Sequence, residues 1–313
     1  MPETLTFTSA GSPCHAWHFR GEGGTFRTTR GVPCIVMAHG FSATADSGLL
    51  EYAEALSAAG VDVLAFDYRG FGVGAGRSAA VVSPAEQRQD YRAAISCARS
   101  LDGVDPTRII VWGVSLSGGH VLALAADDPA IAAVMALTPA VDGPAAITST
   151  VRRAPKAAAK LAAAGIGDIV STLRHSAPVT VPAVGRPGAA AMITAPGAMS
   201  GYSAMAGPSA VNVVPARSLF HVAAYRPARQ AGAIKVPVLF QIADDDQTAP
   251  PSAARKAAFK CRAEVRHYPC AHFDIYPGAA WFDTVVAHQI HFLQRHFVPS
   301  SPHAPVVPLE MTS

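Results

Sequence analysis

No apolar run in this chain reaches the roughly 18 unbroken residues that a membrane-crossing helix needs. The closest, from Val121, is interrupted by Asp127-Asp128-Pro129. The opening residues, Met-Pro-Glu-Thr-Leu-Thr, have no basic stretch followed by an apolar one, so a secretory leader is not expected. Charge is sparse: 15% of the 313 residues are charged and the net charge is +3. The basic residues read as scattered, so neither nucleic acid nor a membrane is expected as a partner. Arg152, Arg153, Lys156 and Lys160 recur at helical spacing and read as one solvated helix face. The five cysteines (Cys14, Cys34, Cys97, Cys261, Cys270) show no metal-ligand spacing. They read as free thiols in a reducing compartment, which makes the expected location cytoplasmic, with no metal. No strand leads into a G-x-G-x-x-G turn that opens a helix, so a dinucleotide site is not expected, and no cofactor is. There are no internal repeats.

What the chain does have is hydrophobic bulk. Half of its residues are hydrophobic, enough for one large α/β domain with an inserted subdomain. Short apolar runs of the fully buried kind alternate with amphipathic stretches. Residues 4–8 and 13–20 read as edge strands, and 34–39, 61–66, 108–112 and 132–137 as buried ones. Helical spacing fills 49–59, 84–101 and 120–127, with Ser83 as N-cap and Pro84 at the first helical position. This alternation predicts a mostly parallel sheet covered on both faces by helices. The rhythm stops near Pro139 and resumes at Val236, with a strand to Ile242, a helix 252–261, a strand 263–268 and a helix 280–296. Expected divisions are a first core part over 1–140, an inserted cap or lid over 141–231, a second core part over 232–298, and a flexible tail over 299–313. The cap is expected to hold helical stretches and no clear strand.

The most informative stretch is Val111-Trp-Gly-Val-Ser115-Leu-Ser-Gly-Gly119. A β-branched run leads in and an Ala/Leu-rich helical run follows. A serine between strand and helix, flanked by small residues, is the pattern of a nucleophile elbow. Gly113 and Ser117 are small enough for the tight turn, although glycine usually stands where Ser117 does. A serine hydroxyl needs a base, an acid to orient it, and oxyanion donors. In α/β sheets such groups stand beyond the carboxyl ends of strands. Beyond Ala243 come Asp244-Asp245-Asp246; beyond Tyr268 comes His272. The order Ser, Asp, His is that of the α/β-hydrolase arrangement.

On these motifs the chain resembles the α/β-hydrolase superfamily from about residue 30 to 297. The expected fold is therefore an α/β-hydrolase fold with an inserted cap. Members often carry the acid four residues before a proline. Asp246 and Pro250 match, which selects Asp246, with Asp244 as runner-up and Asp142 as a more distant alternative. His39-Gly40-Phe41 is similar to the family's oxyanion loop. It implies the backbone N–H groups of Phe41 and Leu116 as donors and leaves His39 as a packing residue. Asp67-Tyr-Arg-Gly-Phe-Gly72 resembles a recurring family turn and is read as architecture, extended by Gly74 and Gly76. The string Gly113-Val-Ser-Leu-Ser-Gly-Gly-His120, with His272-Phe-Asp-Ile-Tyr276, looks like bacterial serine hydrolases grouped as serine aminopeptidase-like or dipeptidyl-peptidase-like. Ser117 sets the chain apart from true lipases.

A catalytic set of Ser115, Asp246 and His272 implies acyl transfer through an acyl-enzyme. The expected substrate is a small-molecule acyl compound: an ester or lactone, with thioesters also open, of a small to medium apolar molecule. Met192, Met199, Tyr202 and Met205, together with Leu219 and Phe220, are the expected apolar pocket surface of the cap. An acyltransferase or cyclase using the same residues is the second expectation. A peptidase and a non-catalytic ligand-binding protein come after it. A homo-oligomer is left open.

Overall fold

The computed structural model describes residues 1–73 and 80–299. Gly74, Gly76 and all but the first residue of the expected tail fall outside them. The chain opens with the antiparallel strands β1 (Glu3–Ser9) and β2 (Ser12–Phe19). It continues through β3 (Val32–Ala38), α1 (Leu49–Ala58), β4 (Asp62–Phe66), α2 (Pro84–Arg99), β5 (Val104–Val114), α3 (Leu116–Asp127) and β6 (Ala133–Leu137). The segment that follows holds α4 (Gly143–Arg153), α5 (Pro155–Leu173), β7 (Thr180–Pro182), α6 (Ala198–Met205), β8 (Val213–Pro215) and α7 (Ser218–Ala223). Then come β9 (Val238–Ala243), α8 (Pro251–Lys260), β10 (Glu264–Tyr268) and α9 (Phe282–Phe297).

Eight strands form one sheet in the order β1-β2-β4-β3-β5-β6-β9-β10. From β4 to β10 every pairing is parallel; β1 and β2 are antiparallel. β3, β4, β6 and β9 are buried along their whole length, as their largely apolar sequences require of strands covered on both faces. Residues of α2, α3 and α8, such as Tyr91, Leu122 and Ala257, pack with one face of the sheet. Residues of α1 and α9, such as Leu56 and Phe292, pack with the other. β6 and β9 are direct neighbours although about a hundred residues separate them, so residues 141–231 leave the sheet and return beside their point of departure.

Several local expectations are met. Ser83 Oγ accepts from the Glu86 N–H at 3.4 Å, and Pro84 opens α2. Arg69 Nε donates to Asp90 Oδ1 at 2.7 Å and its Nη2 donates to Ser9 Oγ at 3.0 Å, so it fastens the Asp67–Gly72 turn to α2 and β1. All five cysteines are free. A buried side-chain chain anchors α9: Trp112 Nε1 donates to Gln289 Oε1 at 3.1 Å, Gln289 Nε2 donates to Gln241 Oε1 at 2.7 Å, and Gln241 Nε2 donates to Tyr268 Oη at 2.7 Å. This fixes the helix that follows the His272 loop to β5, β9 and β10.

Three expectations are corrected. The run Arg152 to Lys160 is not one helix face: Pro155 cannot continue a helix, so α4 ends at Arg153 and α5 starts at Pro155. β5 begins at Val104 rather than 108, with a register irregularity against β3 before the regular ladder from Ile109. The segment 141–231, expected without strands, holds the short antiparallel ribbon β7–β8. Each of its strands is three residues long and ends on a proline, too short for an alternating pattern to register.

Candidate active site

The tight turn after β5 is dictated by Gly113. A Cβ there would lie 2.3 Å from the Ser117 carbonyl oxygen, a backbone contact that nothing flexible can relieve. The turn throws Ser115 into φ 56°, ψ −117°, a costly conformation for a residue with a side chain. The Ser115 N–H donates to Leu137 O at 2.9 Å, and its carbonyl accepts from the Ala140 N–H at 2.8 Å. Both bonds run to the end of β6 and hold the strain in place. Ser117 turns out to be more than a small residue. Its Oγ accepts from the Val114 N–H at 2.8 Å and donates to Ala38 O at 2.7 Å. It therefore staples the elbow to the end of β3, where the Gly40-Phe41 loop starts.

His272 stands in the loop beyond β10, and Asp246 in the loop beyond β9. His272 Nε2 lies 3.1 Å from Ser115 Oγ, and His272 Nδ1 lies 2.5 Å from Asp246 Oδ2. All three residues are buried. Asp246 Oδ1 accepts from the N–H groups of Thr248 at 2.7 Å and Ala249 at 2.8 Å. The carboxylate is thus fixed on one oxygen by backbone and offers the other to the imidazole. With Nδ1 donating to a carboxylate, Nε2 is left to accept the serine proton.

The competing acids are engaged elsewhere. Asp244 is exposed and pairs with Arg255 at 3.2 Å and His267 at 2.8 Å. Asp245 is also exposed. Asp142 caps α4 by accepting from the Ala145 N–H and pairs with Arg226 at 3.1 Å. His39 is buried and donates from Nδ1 to Gly40 O at 2.9 Å. Burial lowers its pKa to about 4, so it is neutral at pH 7 and packs the loop. The nearby Cys270 thiol is pushed up to about 12, chiefly by burial, and stays protonated.

Gly40 lets the loop after β3 pass directly over the nucleophile. A Cβ at that position would come within 3.0 Å of Ser115 Cβ. Leu116 is the first residue of α3, so its N–H has no acceptor inside the helix. Phe41 and Leu116 both border the same pocket as Ser115. That pocket measures about 680 Å³ with its mouth and is largely apolar. Ile147, Met192, Leu219 and Val222 supply apolar wall. Thr150, Arg153 and Gln247 make a polar side, where Arg153 Nη2 donates to Gln247 O at 3.2 Å.

Of the six residues of segment 141–231 expected along the pocket, Met192 and Leu219 line it and the other four do not. Tyr202 is buried, with its hydroxyl donating to Ser42 O at 3.0 Å. Met199 and Met205 are half-buried in the same apolar cluster. The cause is the role of α6, which ties this segment to the loops after β3 and β10. Gly201 sits so close to Phe273 that a Cβ would approach it to 2.5 Å. Phe220 lies away from the pocket against Gly165 of α5. Sequence reading misses Ile147, Thr150, Arg153 and Gln247. The first three carry no signal until α4 is seen to start right after β6. Gln247 could have been found, because it directly follows the expected acid. Met192→Ala is accordingly expected to change the kcat/KM ratio between short- and medium-chain p-nitrophenyl esters by about tenfold. Met199→Ala should leave it unchanged; a shift with Met199→Ala alone would move the pocket to α6.

A family model described as the alpha/beta hydrolase fold matches residues 33–279. The quorum-quenching protein AidA of Acinetobacter baumannii is 38% identical over 297 residues, covering 94% of this chain and 95% of that protein. The polyketide transferase af380 of Aspergillus fumigatus is 28% identical over 284 residues, covering 86% and 91%. Among solved structures, the α/β hydrolase GrgF from Penicillium sp. superposes with a TM-score of 0.78 at 20% identity, covering 95% of this chain and 99% of that one.

Proposed function

This chain belongs to the α/β-hydrolase fold family, and from that premise we propose that it is a serine hydrolase working through an acyl-enzyme on esters or lactones of small to medium apolar molecules. The observation that carries the reading is the buried line from Ser115 Oγ through His272 to Asp246, opening on a pocket walled by apolar side chains. Ser115 Oγ attacks the substrate carbonyl while its proton passes to His272 Nε2. The N–H groups of Phe41 and Leu116 receive the oxyanion. The tetrahedral intermediate collapses, and the leaving oxygen takes the proton back from His272. Water then repeats the sequence on the acyl-enzyme, with His272 as base. For a lactone the leaving hydroxyl stays tethered to the acyl group, so water must compete with ring closure. No metal or cofactor enters this scheme, and the five free thiols suit a cytoplasmic setting.

The full-length relative named as a quorum-quenching protein supports a small molecule as substrate. A second reading, acyl transfer to a substrate hydroxyl or amine, draws support from the relative named as a polyketide transferase. The same residues would serve it. The test is to mix the protein with a p-nitrophenyl ester, quench early, and weigh it intact. A mass increase equal to the acyl group, mapped to the Ser115 peptide, is expected. Turnover with no adduct and no label at Ser115 would overturn the proposal. Adding an alcohol acceptor then separates the two readings by the product formed.

A further inference from the structure

The charge of this protein is unevenly divided. Residues 141–231 hold nine Lys and Arg against two Asp, a net of +7; the rest of the chain holds sixteen against twenty, a net of −4. Both acids of the segment are already used. Asp142 pairs with Arg226 at 3.1 Å, and Asp168, buried, pairs with Arg217 at 2.9 Å. Among the described residues, Arg152, Arg153, Lys156, Lys160, Arg174, Arg186 and Arg229 have no carboxylate partner. The overall +3 hides this asymmetry, which is why the basic residues read as scattered.

On the same segment α5 shows a second anomaly. Its inner face is fixed by Leu161, Gly165 and Asp168. Its outer face carries Ile166, Ile169, Val170 and Leu173 at i, i+3, i+4 and i+7, all exposed, with Ile166 at 58% and Leu173 at 76%. Val179, also exposed, stands where a Cβ at Gly167 would meet it at 3.9 Å, and it extends the strip. Ala159 and Ala163 continue it toward the helix start and are exposed too. On a helical projection Lys156, Lys160 and Arg174 fall along one flank of this strip, and no acidic residue of α5 is exposed. A contiguous aliphatic stripe with a basic margin marks an interaction surface rather than an ordinary solvated face.

We infer that the outer face of α5 docks the protein reversibly on an anionic lipid surface, with the aliphatic stripe in the headgroup boundary and the basic margin on the lipid phosphates. Charge complementarity selects this occupant. A second copy packed two-fold on α5 would bring one +7 segment against another. An anionic bilayer offers diffuse negative charge and a fluid apolar layer, and demands no matching groove from a convex helix. The cytoplasmic leaflet has that character. This surface docking is distinct from crossing: among the described residues no helix is long and apolar enough to span a membrane. The placement has a consequence for the pocket. α4, whose residues line it, is joined to α5 at Ala154, so the acyl site sits beside the docking face, where apolar substrates concentrate.

The experiment is co-sedimentation of the full chain with vesicles of phosphatidylcholine alone or mixed with phosphatidylglycerol. The expected result is binding to the mixed vesicles at low salt, released at high salt. Ile166→Ser/Leu173→Ser and Lys156→Glu/Lys160→Glu should each lower the bound fraction at least about tenfold. All four side chains are exposed and outside the pocket, so labelling of Ser115 by a fluorophosphonate should match wild type in both variants and certify their fold. Wild type that stays in the supernatant with both vesicles, or variants that sediment as wild type does, would overturn the inference. So would a dimer in sedimentation velocity that the aliphatic-stripe variant alone dissociates, which would give the face to a second copy.

Discussion

Alanine at position 115 is expected to lower kcat on a p-nitrophenyl ester by about 10⁶, the scale seen when the nucleophile of such a set is removed. The geometry explains why so much rests on one oxygen. His272 Nε2 lies 3.1 Å from Ser115 Oγ, and Asp246 acts on that oxygen only through the imidazole. Once Oγ is gone, the base and the acid have nothing to activate. Removing His272 as well should then cost little more, because members of one catalytic unit are far from additive. On the proposed mechanism the residual rate, roughly 10³ to 10⁴ over water, would come from the Phe41 and Leu116 N–H donors and from binding. Comparing Ser115→Ala with Ser115→Ala/His272→Ala by steady-state kinetics checks this. A further thousandfold loss in the double variant would mean that His272 works on some other nucleophile. Ser115→Ala should also relieve the strain at φ 56° only slightly, since alanine still carries a Cβ, so its thermal midpoint should stay close to wild type.

Much of this site is legible in the amino-acid sequence alone. Buried strands such as 34–39 and 132–137 announce themselves because both faces are covered and nearly every residue is apolar. The elbow follows from small residues between strand and helix. The rule that functional groups stand beyond strand ends leads to His272 and to three adjacent aspartates, and only the family resemblance, with an acid four residues before Pro250, selects Asp246 among them. What cannot be read there is set by tertiary contact. Ser117 looks merely small in sequence. Only the fold shows its hydroxyl joining Val114 to Ala38, while the close approach falls on Gly113 and the Ser117 backbone. Methionine and tyrosine content marks α6 as pocket wall, but Tyr202 and Gly201 use that helix to hold segment 141–231 to the loops after β3 and β10. Composition cannot tell an apolar side chain facing a ligand from one facing a neighbouring helix. The basic character of residues 141–231 is present in the sequence throughout. It stays invisible as long as charge is summed over the whole chain rather than over its parts.

Asparagine at position 246 is expected to cost about 10⁴ in kcat, although it changes one atom and almost no volume. Asp246 Oδ1 receives two backbone N–H groups, from Thr248 and Ala249. An asparagine must therefore place its oxygen there, since an NH₂ would face two donors. Its NH₂ is then left at the Oδ2 position, 2.5 Å from where His272 Nδ1 stands. A donor facing Nδ1 forces the imidazole proton onto Nε2, and a protonated Nε2 cannot take the proton of Ser115. The loss is thus one of tautomer, with the backbone deciding which way the amide points. Asp244→Asn makes the same chemical change two residues away, on an exposed carboxylate paired with Arg255 and His267. Its cost should stay within about threefold, as for other surface ion pairs. Measuring both variants on one ester tests the assignment. A large loss with Asp244→Asn and a small one with Asp246→Asn would move the orienting role to Asp244. Equal small losses would leave His272 without a carboxylate partner that matters.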